Sequence, residues 1–308
     1  MQDIQRDTTR VYSQKRKMSK NSRNQEITAY IFIAAPLLLF LIFTCYPVFR
    51  AFYLSFTSYD ILTPAKWTGL ANYKRLFHDE LFFVTLKNVF SYVLIFVPCM
   101  IMLSLTVAMA LNRIRHAATA FRVIYYIPGL TSSIAAATVW MWLLNPEYGI
   151  VNQILGYVGI TGPAWLANSS TALVSIVIVT LWQGIGGNMV IYLAGLQGIP
   201  GYLYESAKLD GANNWNLFRY VTWPTLRPTT FFVVTMSMIG SFQLFDQAFA
   251  MTQGGPGNAT KTPVYLIYTS GFNELQMGYA STMAFALFSI ILVLSLINMK
   301  INGENSIN

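Results

Sequence analysis

Long runs of residues without a single charge dominate this chain, and they restrict what it can fold into more than any motif does. Segments 27–49, 88–112, 123–146 and 275–299 contain no Asp, Glu, Lys or Arg. Each is longer than the roughly 20 residues that a helix needs to cross a bilayer. Segment 228–245 is shorter and borrows Ala248, Phe249 and Ala250. The uncharged run from Tyr148 to Tyr204 is too long for one span, and its first part holds Gly156, Gly159, Gly162, Pro163 and Asn168, so only its later part reads as helix. Composition agrees: 10% of residues are charged and 55% hydrophobic, with a mean hydropathy of +0.47, against roughly a quarter charged in soluble domains.

The expected fold is therefore an all-α integral membrane protein with six transmembrane helices. The spans are placed at 27–56, 86–112, 122–145, 170–196, 228–250 and 276–301, within a six-helix membrane domain covering 26–301. A polar, basic tail, 1–25, has too little apolar content to build a core and is expected to be disordered; a second tail covers 302–308. Arg6, Arg10, Lys15, Arg16, Lys17, Lys20 and Arg23 precede the first span, and Arg113, Arg115, Arg122, Lys208, Arg219, Arg227 and Lys300 fall on the same side in the alternation. The opposite side carries fewer, among them Lys66, Lys74, Arg75 and Lys261. Short cytoplasmic segments hold the basic excess, so both termini are expected in the cytoplasm.

The net charge of +8 lies beside the membrane, where it suits anionic lipid rather than nucleic acid. The first apolar run exceeds the core of a signal peptide and no small-residue cleavage site follows it. Cys45 and Cys99 both fall in spans and suggest neither a disulfide nor a zinc site. Histidines 78 and 116 sit on opposite sides without ligand spacing, and no G-x-x-x-x-G-K-[ST] loop is present, so no metal, bound cofactor or ATP hydrolysis is expected of this chain.

One polar island stands between apolar runs: Tyr204-Glu205-Ser206-Ala207-Lys208-Leu209-Asp210-Gly211-Ala212, in the connection 197–227. Pro200 suits the start of a short helix and Gly211 its end, where positive φ is needed. Asn213 or Asn214 is placed to cap a second helix, which Pro224 ends or kinks. In the outer segment after the first span, Leu76, Phe77, Leu81 and Phe82 read as a small interfacial amphipathic element. Pro98 interrupts the second span's hydrogen bonding, and Thr131, Ser132, Ser133, Ala135, Ala136 and Ala137 make the third suited to close helix contact.

Polar side chains inside spans usually face the bundle interior or a water-filled cavity. The fourth helix offers Trp182, Gln183 and Asn188, and the fifth offers Phe242, Gln243, Phe245 and Asp246. Interhelical hydrogen bonding and core packing account for such residues, but amides, a carboxylate and aromatic faces together also suit a polar, hydroxyl-bearing ligand, which makes these seven the candidates for a substrate path.

The pattern Glu205-Ser206-Ala207-x-x-Asp210-Gly211-Ala212, with Phe218, Pro224 and Pro228 behind it, resembles the "EAA" loop of bacterial importer permeases of the ATP-binding-cassette class. Gly195-Leu196-Gln197-x-Ile199-Pro200 is similar to the carbohydrate-uptake branch. Trp67-x-Gly69-Leu70-x-Asn72-Tyr73, Ala110-Leu111-Asn112, Phe121-Arg122 with Pro128, Trp140 to Asn145-Pro146, and Gly254-Gly255-Pro256 resemble the first membrane subunit of maltose-type and glycerol-phosphate-type systems. The resemblance implies a multi-pass subunit of a bacterial cell membrane. It implies four kinds of partner: a second related permease, a cytoplasmic ATPase dimer that binds the ATP and Mg, an extracellular solute-binding protein, and a sugar. It also implies that Glu205, Ser206, Ala207, Asp210, Gly211 and Ala212 couple to the ATPase, with Glu205 making a polar or ionic contact, Ser206 and Ala207 permitting close approach, and Gly211 making the turn. Ser206 departs from the commoner Ala, at little change in size. A glycerol-phosphate permease of the same family and an ion-coupled secondary transporter are the alternatives, the first requiring a pore cation and the second a mid-membrane ionisable group.

Overall fold

The computed structural model describes residues 20–114 and 118–302, which form two compact units, residues up to 53 and residues from 54. In the first unit, α1 (Lys20–Phe40) passes through a π-helical turn, Leu41–Cys45, into α2 (Tyr46–Ser55). Pro47 lies two residues beyond the turn. A proline ring clashes with the carbonyl four residues back, and the wider turn, in which the Tyr46 N–H reaches the Leu41 oxygen, removes that conflict. The helix already begins at Lys20, inside the stretch expected as tail; residues 1–19 and 303–308 lie outside the described residues.

From Leu54 the chain builds a closing cap at one end of the bundle. β1 (Thr57–Ser58) pairs antiparallel with β2 (Lys66–Trp67), with Thr57 opposite Trp67, and α3 (Ala71–Leu76) follows. The Trp67-x-Gly69-Leu70-x-Asn72-Tyr73 pattern acquires a physical purpose here. Asn72 donates to the Ser55 and Thr57 carbonyls at 3.0 and 2.9 Å, Tyr73 bonds the Ser55 hydroxyl, and the Trp67 ring stacks on Phe56. Phe77 is exposed as expected of an interfacial residue, but Leu76 and Phe82 are buried in a core cluster with Leu266, Tyr279 and Met283. The element is a packed cap rather than a surface helix. In the exposed turn beyond α2, the Thr63 hydroxyl and N–H hold the Asp60 carboxyl below the usual carboxylate range.

α4 (Glu80–Arg113) starts at an Asp79 cap, whose carboxylate accepts from the Leu81 and Phe82 N–H groups, and runs unbroken past Pro98. Its buried residues Val89, Tyr92, Phe96, Met100, Ser104, Ala108 and Leu111 recur every three or four positions, one stripe of a helix. That stripe packs on α8, the principal contact of the fold.

The expected third span is two helices. α5 (Ala118–Leu130) and α6 (Ser133–Leu143) meet at 97°, where Pro128-Gly129 weakens the helix and Ser132 turns extended. The connection after α6 contains α7 (Ile150–Tyr157), and α8 (Ala172–Gln197) follows. α9 (Gly201–Leu209) and α10 (Asn214–Leu217) lie at the far end, followed by a π-helical turn, Phe218–Thr222, then α11 (Trp223–Thr225) and α12 (Arg227–Phe242). The expected fifth span, 228–250, is interrupted after Phe242 and resumes at Asp246, ending in a π-helical turn, Ala248–Thr252. α13 (Pro263–Tyr268), another π-helical turn, Thr269–Asn273, and α14 (Met277–Asn302) complete the chain. Among the described residues four helices are long and apolar enough to cross a membrane, and the bent α5–α6 pair makes a fifth.

Close packing depends on where side chains are missing. A Cβ on Gly186 of α8 would sit 2.0 Å from the Tyr125 carbonyl oxygen of α5, whereas one on the adjacent Gly187 meets nothing within 4 Å. In lipid, where apolar surface gains little by meeting another helix, such approaches supply the attraction. Gly186→Ala is therefore expected to destabilise the protein by about 1–3 kcal/mol, the usual cost of overpacking, and Gly187→Ala to leave it nearly unchanged. Thermal unfolding of the two variants in detergent measures the difference.

Candidate functional site

The polar island folds as a rigid hairpin of two helices. Pro200, with ψ near 131°, is the cap residue just outside α9 rather than its first helical residue. At the other end the Gly211 N–H bonds the Lys208 carbonyl and the Ala212 N–H the Ala207 carbonyl, with Gly211 at φ +83°. This is the six-to-one closure in which a left-handed residue completes a helix end, so the Asp-Gly-Ala sequence is read out directly as geometry. Asn213 then caps α10 by accepting from the Asn216 N–H at 2.9 Å.

Leu203 and Tyr204 face inward against the cluster of Leu111, Leu196 and Leu226, and the Tyr204 hydroxyl bonds that of Thr222 at 2.9 Å. Glu205, Ser206, Asp210 and Gly211 are exposed; Ala207 and Ala212 are half-buried. Ser206 spends its hydroxyl on the Tyr202 carbonyl of its own helix, 2.8 Å away, leaving a small unreactive surface. Neither carboxylate of Glu205 or Asp210 is paired among the described residues. Leu209, 90% exposed, stands between them with Tyr202 and Trp215 also outward. Sequence reasoning passed over these apolar knobs, although Leu209 between Lys208 and Asp210 was a visible signal.

The second feature is a cleft of about 360 Å³ between α4, α8 and α12, opening where α12 breaks. Asn188, Gln243, Phe245 and Asp246 line it, four of the seven residues expected on the path. Gln183 stands behind the lining, its Oε1 accepting from the amide of the buried Gln247 at 2.9 Å. Trp182 and Phe242 do not line it. Trp182 packs edge-on against Trp140, and Phe242, 1% exposed, against Phe90. The structure adds Tyr92, Phe96, Thr180 and Gln247: the Tyr92 and Phe96 rings stack at 5.1 Å, and the Tyr92 hydroxyl donates to Thr180 at 2.8 Å. Gln247 lies four residues beyond Gln243, across the break, a spacing the sequence displayed; Tyr92 and Thr180 are hidden in apolar runs.

Chemically the cleft offers acceptors and ring faces. Asn188 uses its amide N–H on the Gly184 carbonyl, which leaves its side-chain oxygen free, and Gln243 and Asp246 carry no side-chain hydrogen bond among the described residues. No Lys, Arg or His lines the cavity. Such a surface suits a neutral, hydroxyl-bearing ligand. A second groove of about 480 Å³, lined by Asn145, Pro146, Gln253 and Pro256 among others, lies at the end opposite α9 and holds none of the expected residues.

Residues 84–302 match the sequence profile of the family described as "binding-protein-dependent transport system inner membrane component". The chain belongs to that family. The permease is 35% identical over 280 residues to the probable ABC transporter permease protein YurN of Bacillus subtilis, covering 89% of this chain and 96% of YurN. It is 32% identical over 283 residues to AraP, the arabinooligosaccharides transport system permease protein of Halalkalibacterium halodurans, covering 91% and 89%. Its fold superposes on a bacterial alginate ABC transporter, solved with an alginate pentasaccharide-bound periplasmic protein, at a TM-score of 0.81 and 20% identity, covering 93% of the permease and 97% of that chain. It is thus a multi-pass inner-membrane component with the importer-permease fold.

The Gln183–Gln247 bond ties α8 to the segment beyond the break and fixes the cleft's back wall. Gln183→Leu strands the buried Gln247 amide and is expected to cost about 1–3 kcal/mol, of which Gln183→Leu combined with Gln247→Leu recovers a part. A double-mutant cycle by thermal unfolding measures it.

Proposed function

We propose that the permease forms half of the translocation pathway of an ATP-driven sugar importer, most directly one for a neutral oligosaccharide. The observation that carries this reading is the cleft at the α12 break, with Asp246, Gln243 and Asn188 free to accept hydrogen bonds beside the rings of Phe245 and Phe96. The absence of a lining cation argues against a phosphorylated substrate such as glycerol phosphate. The single cleft carboxylate, without an ionisable partner, is a poor basis for proton coupling. Relatives named for arabinooligosaccharides support the substrate class.

In this reading the remaining parts of the machine are a second related permease, a pair of cytoplasmic ATPase subunits holding ATP and Mg, and an extracellular solute-binding protein. α9 is the contact with the ATPase. Glu205 pairs with a polar or basic group of its socket, and Ser206 and Ala207 let the backbones approach. Leu209 supplies an apolar knob, and Asp210, Gly211 and Ala212 hold the turn. ATP-driven closure of the ATPase pair carries α9 with it, and the cleft alternates between the two sides of the membrane. The chain itself performs no catalysis.

Reconstituted with its ATPase, second permease and binding protein, the complex is expected to hydrolyse ATP in response to sugar and to keep doing so when ion gradients are collapsed. Glu205→Lys and Gly211→Pro are each expected to lower sugar-driven uptake about tenfold or more, the loss of some 1.4 kcal/mol of coupling, while the membrane fold survives. Uptake that needs a gradient and no ATP contradicts the reading. Unchanged ATPase association and uptake in both variants contradicts the assignment of α9.

A further inference from the structure

We propose that five aromatic rings, Phe245, Phe249, Tyr265, Tyr268 and Phe272, form a saccharide-binding ladder that lengthens the cleft toward the end of the bundle opposite α9. The inference rests on the sugar reading above and adds a site beyond the cleft. Phe245 is the last residue of the α12 break and Phe249 lies four residues on, in the helix that resumes at Asp246. Tyr265, Tyr268 and Phe272 recur at intervals of three and four along α13 and the π-helical turn behind it, so they share one helical face. The opposite face of α13, with Leu266 and Ile267, supplies the core.

The rings are continuous. Phe245 stacks on Phe249 at 5.3 Å and 21°, Tyr268 meets both at 5.2 and 5.6 Å, and Phe272 meets Tyr268 at 5.5 Å. Tyr265 braces the pair from 6.3 and 6.2 Å. Both ends of the series are open: Phe245 lines the cleft beside Asp246, and Phe272 is 62% exposed. Neither tyrosine hydroxyl bonds another described residue. Rings that merely filled a core would be closed in at both ends, and a tyrosine hydroxyl on a ring as buried as that of Tyr265 usually finds a partner. A run of ring faces flanked by free hydroxyls fits the two surfaces of a sugar unit, its C–H face on the ring and its hydroxyls at the rim. It supplies successive footholds to a ligand longer than the cleft.

A ladder of this kind matters for long saccharides and little for short ones, which separates it from a structural role. The complete complex in liposomes, at saturating binding protein, is assayed for maximal uptake of arabinobiose against arabinopentaose and of maltose against maltopentaose. Phe272→Ala and Tyr268→Ala are expected to lower the pentasaccharide-to-disaccharide rate ratio about tenfold, and Phe272→Trp to preserve it. Phe272 is exposed, so its variant keeps the fold even where Tyr268→Ala does not. A ratio unchanged in Phe272→Ala, whether both rates hold or fall together, overturns the ladder, as does a wild-type complex that carries only disaccharides. If none of these sugars drives the wild-type complex, the sugar reading falls and the ladder with it.

Discussion

Within a bilayer no water stands ready to satisfy a freed N–H or C=O, so a helix can break at membrane depth only where protein or a polar cavity surrounds the break. That constraint organises this permease. The α5–α6 pair is bent at 131–132 and the helix after α12 is interrupted at 243–245, and both interruptions lie against α8 or its cluster. The second opens onto the cleft and supplies its polar lining from consecutive residues, Gln243 to Gln247. The cost of irregular backbone is met where polar side chains are also concentrated, and the site follows from that coincidence.

The same chain links the cleft to the exposed hairpin at the other end. Tyr204 holds α9 to Thr222, Leu226 is fully buried at the start of α12, and α12 ends at the break. In the proposed mechanism a push on α9 travels along this short, packed route to the break at its far end. In the proposed mechanism this is the lever: the hairpin is stiff because its turn is closed by backbone hydrogen bonds, and the break yields because no continuous helix spans it.

Much of this was legible in the sequence, for physical reasons. Uncharged runs located α4, α8 and α14, although α4 starts at Glu80, six residues before the expected span, and Gly211 and Asn213 announced their turn and cap because few residue types fit those backbone conformations. The breaks were harder to read. Pro128-Gly129 marked the first, yet Pro98, an equally plausible breaker, sits in an unbroken helix because tertiary packing against α8 overrides the local preference. Nothing in Phe242-Gln243-Leu244-Phe245 announces an interruption by itself. The cleft was half visible: Asn188, Gln243 and Asp246 stand out as polar residues among apolar ones, while Tyr92 and Thr180 do not. Trp182 and Phe242 were grouped with the site because aromatic residues suit sugars, but an aromatic ring in a span packs on its neighbours as readily as on a ligand, and here both do.

The central claim is that movement of α9 changes which side of the membrane reaches the cleft. Gln243 lines that cleft and is exposed to it, and labelling of Gln243→Cys by a membrane-impermeant thiol reagent, in a background with Cys45 and Cys99 replaced, tests the claim directly. In oriented proteoliposomes the account predicts that trapping the ATPase with ATP shifts the label's access from one face to the other, and that Glu205→Lys abolishes the shift. Equal labelling from the same face in the resting and trapped states would contradict it.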